Sequence, residues 1–218
     1  MDCCKSSQCT GIEETFDAEL AAEELEDYRS KGPNKETHAM LTGIRAQGVD
    51  GARLLDIGGG VGVIQHELAR YGAASIVNVD ASPAYSTVAR QEAEGLGYAA
   101  RAEYRVGNFV DIAPELAPAD VVTLDRVICC YDDMPGLVSA AVAKARRVLG
   151  VVYPVDRWFI RFGMFVANGF QALMRRPFRI FAHRNAAVEA IIAAGGFERK
   201  FYRRELFWQV AVYAKTAN

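Results

Sequence analysis

The sequence predicts an α/β fold built on a doubly wound, mostly parallel sheet. Three observations predict it. Short apolar runs alternate with helix-patterned segments from Arg53 onward, as expected for strands covered on both faces by crossover helices. The first run leads straight into a glycine-rich turn, Gly58-Gly59-Gly60-Val61-Gly62. The last two apolar runs, 197–205 and 207–215, are joined by a very short turn and must therefore pair antiparallel.

The elements follow in order. Residues 12–30 are rich in Glu, Ala and Leu, with Phe16, Leu20 and Leu25 as an apolar stripe, and predict one helix ended by Lys31-Gly32-Pro33. Asn34 is a good N-cap for a second helix reaching about Gln47. These two helices precede the alternating region, and residues 1–50 are expected to form a helical lid over a domain spanning 51–218. Strands are predicted at 53–57, 75–79, 102–106, 119–125 and 150–153. Between them, helices are expected at 61–71, 83–95 and 134–149, with Ser82 as N-cap and Pro83 at the first position of the second. An apolar helix at 158–175 and another at 186–194 precede the closing hairpin.

Composition bounds the function. The 218 residues are enough for one full core, and 51% apolar with 24% charged is ordinary for a globular chain. A net charge of -2 gives no broad basic field, so nucleic acid is not an expected partner. The N-terminus lacks the basic flank and apolar core of a signal peptide. The most lipid-like stretch, 158–174, is interrupted by Arg161, Asn168 and Gln171 and is short for a membrane span. No integral span is expected, although peripheral contact with a membrane surface is compatible with that stretch. Cys3, Cys4, Cys9, Cys129 and Cys130 are expected as thiols in a reducing cytoplasm.

The glycine turn identifies the ligand class by elimination and by resemblance. A phosphate-binding loop needs Gly-Lys-Ser/Thr, and there is no lysine between Lys35 and Lys144. A dinucleotide fingerprint needs a third glycine where Val63 or Gln65 stands. What remains is Asp56-x-Gly58-x-Gly60-x-Gly62. With Asp80 at the end of the second strand and the antiparallel ending, it resembles class I S-adenosylmethionine-dependent methyltransferases over about residues 53–215. The resemblance implies a Rossmann-like seven-stranded sheet with an antiparallel last strand. It also implies S-adenosyl-L-methionine as cofactor and S-adenosyl-L-homocysteine as product.

Site residues follow from the same resemblance. Gly58, Gly59, Gly60 and Gly62 would let backbone N–H groups approach the amino-acid part of the cofactor. Asp56 would order the loop or meet the ammonium through water. Asp80 and the adjoining Ala81 would hold the ribose, the competing reading being that Asp80 only caps the next helix. Asn108, in Gly107-Asn108-Phe109, would meet the adenine edge where many members carry Asp, and Phe109 would pack on the ring or fill the core. Asp125 is expected at both the cofactor and the transfer centre. Cys129, Cys130 and Tyr131 complete the catalytic candidates, with Asp132, Asp133 and His183 as further bases for an acidic acceptor.

The acceptor is expected to be a small molecule, apolar or aromatic, with an O, N or S nucleophile. The aromatic, arginine-flanked segment 158–179 gives a weaker resemblance to magnesium-protoporphyrin O-methyltransferases. Clustered cysteines leave open a thiol or metalloid acceptor, as in arsenite methyltransferases, although no Cys-x-x-Cys metal site is present. A non-catalytic cofactor-binding protein is the further alternative.

Overall fold

The computed structural model describes residues 7–216, with side chains from Gly11 onward. In order, its elements are helices α1 (Ser7–Thr15), α2 (Ala18–Lys31) and α3 (Lys35–Arg45), strand β1 (Arg53–Ile57), α4 (Val63–Arg70), β2 (Ser75–Asp80), α5 (Pro83–Gly95) and β3 (Ala102–Val106). There follow α6 (Phe109–Ile112), β4 (Ala119–Asp125), α7 (Met134–Lys144), β5 (Ala145–Pro154), α8 (Trp158–Leu173), α9 (Asn185–Ala194), β6 (Phe197–Arg204) and β7 (Trp208–Lys215).

The seven strands form one sheet in the order β3-β2-β1-β4-β5-β7-β6. β7 runs antiparallel to both β5 and β6, and the other pairings are parallel. This is the expected doubly wound sheet with an antiparallel last strand. Strand order reverses between β1 and β4, which opens a crevice beyond their carboxyl ends.

Alternation along the strands sorts side chains into two cores. Leu55, Val122, Leu149 and Tyr153 pack with α7 and α9 residues such as Leu137, Val138, Val188 and Ile192. Leu54, Val121, Val148 and Val212 pack on the opposite face with Met40, Ile44, Ile64 and Leu68 of α3 and α4. α3 is thus a covering helix of the sheet, tied to the core through fully buried Met40 and Ile44, while α1 and α2 lie beside the crevice.

Two element predictions need correction. The single helix expected over 12–30 is broken at Asp17, whose Oδ1 accepts the N–H groups of Glu19 and Leu20 at 3.0 Å and caps α2. A short polar side chain that satisfies two first-turn donors starts a helix afresh rather than continuing one. The helix expected over 134–149 stops at Lys144, and β5 begins at Ala145, five residues before the expected strand start. Ala145 pairs with Ala119, and Val148 pairs with both Val121 and Ala214. A strand hydrogen-bonded on both sides overrides the helical tendency of Ala145, Arg146 and Leu149.

Candidate active site

The loops after β1, β2, β3 and β4 converge on one cavity of about 400 Å³, within the range of small-molecule sites. Its floor is Gly58, Gly59 and Gly60. Gly58 sits at φ +62, and a Cβ there would lie 2.3 Å from Val127 Cγ2. Only glycine lets the end of β1 pass this closely beneath the loop that follows β4. The first turn of α4 contributes Val63 and Ile64, so the helix presents its positive end to the cavity.

The turn is braced from behind by a buried polar network. Gln65, His66 and Asn78 are all fully buried. Asn78 Nδ2 donates to Gln65 Oε1 at 3.1 Å, and Gln65 Nε2 donates to the Tyr104 hydroxyl at 2.9 Å. His66 Nε2 donates to the Val61 carbonyl at 2.9 Å, which leaves Nδ1 to accept from the Tyr98 hydroxyl. Burial pushes the His66 ring down to about 4, so it stays neutral at ordinary pH. Asp56 is fully buried, accepts from Thr123 Oγ1 at 2.7 Å, and leaves Oδ2 without a partner. Burial pushes its carboxyl up to about 7.

Asp80 stands at the cavity wall and holds two loops. Its Oδ2 accepts the Gly60 N–H at 2.9 Å and its Oδ1 accepts the Ser82 N–H at 2.8 Å. Burial raises this carboxyl against those donors. The cap of α5 is Ser82 itself, whose Oγ accepts from Tyr85 N and donates to the Phe16 carbonyl. That last bond ties the α1–α2 junction to the rim. Phe16 then meets Tyr85 and Phe178 edge-on, with ring centroids 5.7 and 5.6 Å apart.

Of the residues singled out in the sequence, the structure brings Gly58, Gly59, Gly60, Asp80, Ala81, Asn108, Phe109, Asp125, Cys129, Cys130 and Tyr131 to this one cavity. Asp56 and Gly62 lie off its wall. The N–H groups of all four glycines are hydrogen-bonded within the fold: those of Gly58 and Gly59 to the Val79 carbonyl, that of Gly60 to Asp80 and that of Gly62 to the Gly59 carbonyl. The donors are spent inside the fold because the turn must satisfy its own backbone. Asn108 caps α6 through Val110 N, accepts from the Tyr131 hydroxyl at 2.7 Å and donates to Asp111.

Asp125 ends β4 with both oxygens engaged, Oδ2 by the Thr37 hydroxyl of α3 and Oδ1 by Arg126 Nε at 3.2 Å. Arg126 is one of two non-glycine residues described with positive φ, at 60°. Its carbonyl accepts from Cys129 Sγ at 3.3 Å and from Cys130 Sγ at 3.6 Å. The contact between these thiols lowers Cys129 and raises Cys130. Asp133 caps α7, and His183 Nε2 donates to the Tyr131 carbonyl at 2.8 Å. Cys3, Cys4 and the Cys9 side chain lie outside the described residues. Among the described residues no three metal-ligating side chains converge, and no helix is long and apolar enough to cross a membrane.

Other wall residues were not expected at the cofactor or transfer centre: Ile12, Phe16, Glu24, Thr37, Tyr85, Phe178, Ile180 and Trp208. One signal existed for Glu24, a carboxylate three residues after Ala21 and four after Leu20 on the apolar side of α2. Phe178 lies in the aromatic segment 158–179, while Ile180 and Trp208 carry no local signal.

A family model described as a methyltransferase domain matches residues 55–150. Residues 55–150 thus match a methyltransferase domain, in keeping with the resemblance of the glycine turn to class I S-adenosylmethionine-dependent methyltransferases. The matched segment holds the glycine turn, Asp80, Asn108 and Asp125. Ubiquinone biosynthesis O-methyltransferase of Xanthomonas oryzae pv. oryzae is 33% identical over 120 residues, 52% of this chain and 48% of that protein. The one from Xanthomonas axonopodis pv. citri is 32% identical over 123 residues, 53% and 50% of the two chains. The chain therefore spans about half the length of the curated relatives it matches. Among solved structures, magnesium protoporphyrin IX methyltransferase from Synechocystis PCC 6803 with bound S-adenosylhomocysteine has a TM-score of 0.70 and 18% identity. That match covers 96% of this chain and 100% of the other. The likeness extends the methyltransferase domain's fold beyond the matched segment.

The cofactor of such domains is S-adenosyl-L-methionine, and this cavity fits it. Gly58 leaves a floor that a Cβ would fill, and the Tyr85 hydroxyl, facing Glu24, stands at the wall. Asp80 keeps further lone pairs beyond the two backbone donors it already accepts.

Proposed function

We propose that this chain transfers a methyl group from S-adenosyl-L-methionine to an oxygen nucleophile on an apolar or aromatic small molecule. The observation that carries the reading is one cavity with two unlike halves. Glycines and Asp80 line one side, while Ile12, Phe16, Phe178, Ile180 and Trp208 supply an apolar wall. A polar cradle suits the donor, and an apolar wall suits an acceptor held by dispersion and water exclusion. Oxygen as the acceptor atom is supported by the curated relatives, which are named O-methyltransferases.

When bound, the cofactor supplies an activated methyl on a sulfonium with a neutral leaving group. The chain's part is to hold both partners in line, an effect worth at most roughly 7–11 kcal/mol. Asp80 takes the ribose hydroxyls, and Asn108 and Phe109 flank the adenine. Asp125, fixed by Thr37 and Arg126, orients the groups between donor and acceptor. Glu24 at the rim faces the Tyr85 hydroxyl, and its carboxyl is raised by partial burial. Of the wall carboxylates Glu24, Asp80 and Asp125, it alone meets a tyrosine hydroxyl rather than backbone N–H groups or an arginine, and it takes the acceptor proton. Helices α1 and α2 act as the lid. The chain works as a cytoplasmic protein with a small-molecule substrate.

The acceptor atom is tested with tritiated cofactor and a panel of phenols, carboxylic acids, thiols and arsenite. Label on phenolic or carboxyl oxygen, undiminished in Cys129→Ser and Cys130→Ser, supports this reading. Label on thiol or arsenite that both substitutions abolish would replace it with the thiol-cluster alternative.

A further inference from the structure

Helix α8 buries one side and leaves the other bare. Ile160 and Met164 pack with Val155, Ile180 and Ala182. Asn168 is hydrogen-bonded to both the N–H and the carbonyl of Ile180, at 2.9 and 2.7 Å. Opposite that side, Phe162, Phe165, Val166, Phe170 and Leu173 recur at helical spacing, and Trp158 opens the helix beside them. Trp158 and Leu173 are each 79% exposed and Phe165 is 74% exposed. An aromatic face this continuous marks a surface that something covers.

Charge decides what covers it. From Arg157 to Val188 there are six arginines (Arg157, Arg161, Arg175, Arg176, Arg179 and Arg184) and no Asp or Glu. Asp156, just before the segment, pairs with Arg161 at 3.7 Å. The chain as a whole is -2, so positive charge is concentrated at the two ends of α8 and in the segment that follows it. A second copy meeting this face symmetrically would set arginines against arginines with no carboxylate of the segment to pair them. An anionic lipid surface supplies phosphates for the arginines and an interfacial layer for the aromatic rings.

We propose that α8 docks side-on to an anionic lipid bilayer, with its aromatic face in the headgroup layer and its flanking arginines on lipid phosphates. The segment after α8 carries Phe178 and Ile180 into the cavity wall, and Phe181 N–H bonds to the Cys129 carbonyl at 2.7 Å. Docking through α8 therefore sets the cavity wall close to the lipid, where an apolar acceptor partitions. The surface stands apart from the methyl-transfer reading, since α8 itself does not line the cavity.

The test is co-sedimentation of the full chain with phosphatidylcholine vesicles and with vesicles mixing phosphatidylcholine and phosphatidylglycerol. The expected result is pelleting with the mixed vesicles only, lost at high salt, with a blue shift of Trp158 emission. Phe162→Ser with Phe165→Ser is expected to weaken vesicle binding by more than tenfold. Arg175→Gln with Arg176→Gln is expected to weaken it by about 30-fold, taking each arginine near an anionic surface as roughly a fivefold effect. S-adenosylhomocysteine affinity, read by calorimetry, stays unchanged in both. Pelleting with neither vesicle, or equal pelleting by parent and variants, would overturn the proposal. A dimer that Phe165→Ser disperses, with no vesicle binding by the parent, would overturn it in favour of a second copy.

Discussion

Asp80→Ala removes the side chain that holds the two rims of the cradle. Its carboxylate accepts the Gly60 N–H at 2.9 Å and the Ser82 N–H at 2.8 Å. A hydrogen bond to a charged group contributes roughly 1.5–3 kcal/mol, and alanine strands both donors. Burial already opposes the charged form of Asp80, so the low end applies, about 3 kcal/mol in all. For a chain of this size that is a fall of roughly 6–12 °C in melting temperature. The cradle also loses its ribose acceptor. Affinity for S-adenosylhomocysteine is expected to fall about 30-fold, equivalent to about 2 kcal/mol. Asp80→Asn separates the two effects. Its single oxygen can still accept one backbone N–H and restores about half of the stability. Its amide nitrogen cannot accept from a hydroxyl, so affinity stays low. Circular dichroism gives the melting temperatures and titration calorimetry the affinities. If Asp80→Ala melts early but binds S-adenosylhomocysteine with unchanged Kd, Asp80 is a loop fastener and the ribose assignment is wrong.

Three further outcomes are expected. Gly58→Ala places a methyl 2.3 Å from Val127 Cγ2 at φ +62 and should destabilise the chain by about 2–4 kcal/mol; a Val127→Ala background, compared by urea unfolding, should recover only the part due to the clash. Thr37→Val keeps the shape but removes the hydroxyl donor to Asp125, costing about 1–3 kcal/mol by the same measurement. The buried pair Asp56 and His66 has opposing pH effects. With His66 at about 4 when folded and near 6.5 when unfolded, stability is lost as pH falls from about 6.5 to 4. With Asp56 at about 7 when folded and near 3.8 when unfolded, stability is lost as pH rises from about 4 to 7. Urea unfolding across this range should show Asp56→Asn losing stability on acidification and His66→Gln gaining it; parallel profiles in the two variants would contradict the assignments.

The sheet was legible because its strands are short apolar runs set off by turn residues, and Arg53–Ile57, Ala102–Val106 and Ala119–Asp125 stand where the pattern put them. α5 was legible to the residue because Ser82 and Pro83 mark its start chemically. The start of β5 was not, because Ala145-Arg146-Arg147 favours a helix locally, and only the pairing of Ala145 with Ala119 and the doubly paired strand from Val148 onward draw it into the sheet. In the site, residues beside the glycine turn were readable from spacing. The brace behind the turn was not, since Gln65, His66 and Asn78 look like ordinary surface residues until the fold buries them. The same holds for Thr37, 88 positions from Asp125 in the chain. The exposed side of α8 was visible as composition, but only the packing of Ile160 and Met164 shows which half stays bare.

The central claim is that this cavity joins a methyl donor to an apolar acceptor. The most direct measurement incubates the full chain with tritiated S-adenosyl-L-methionine and an organic extract of cells, then follows label and S-adenosylhomocysteine together. Label should move into the organic phase in step with S-adenosylhomocysteine, and both should fall sharply in Asp80→Ala at limiting cofactor. Tight S-adenosylhomocysteine binding with no label transferred to any fraction would contradict it and leave a cofactor-binding protein without the reaction.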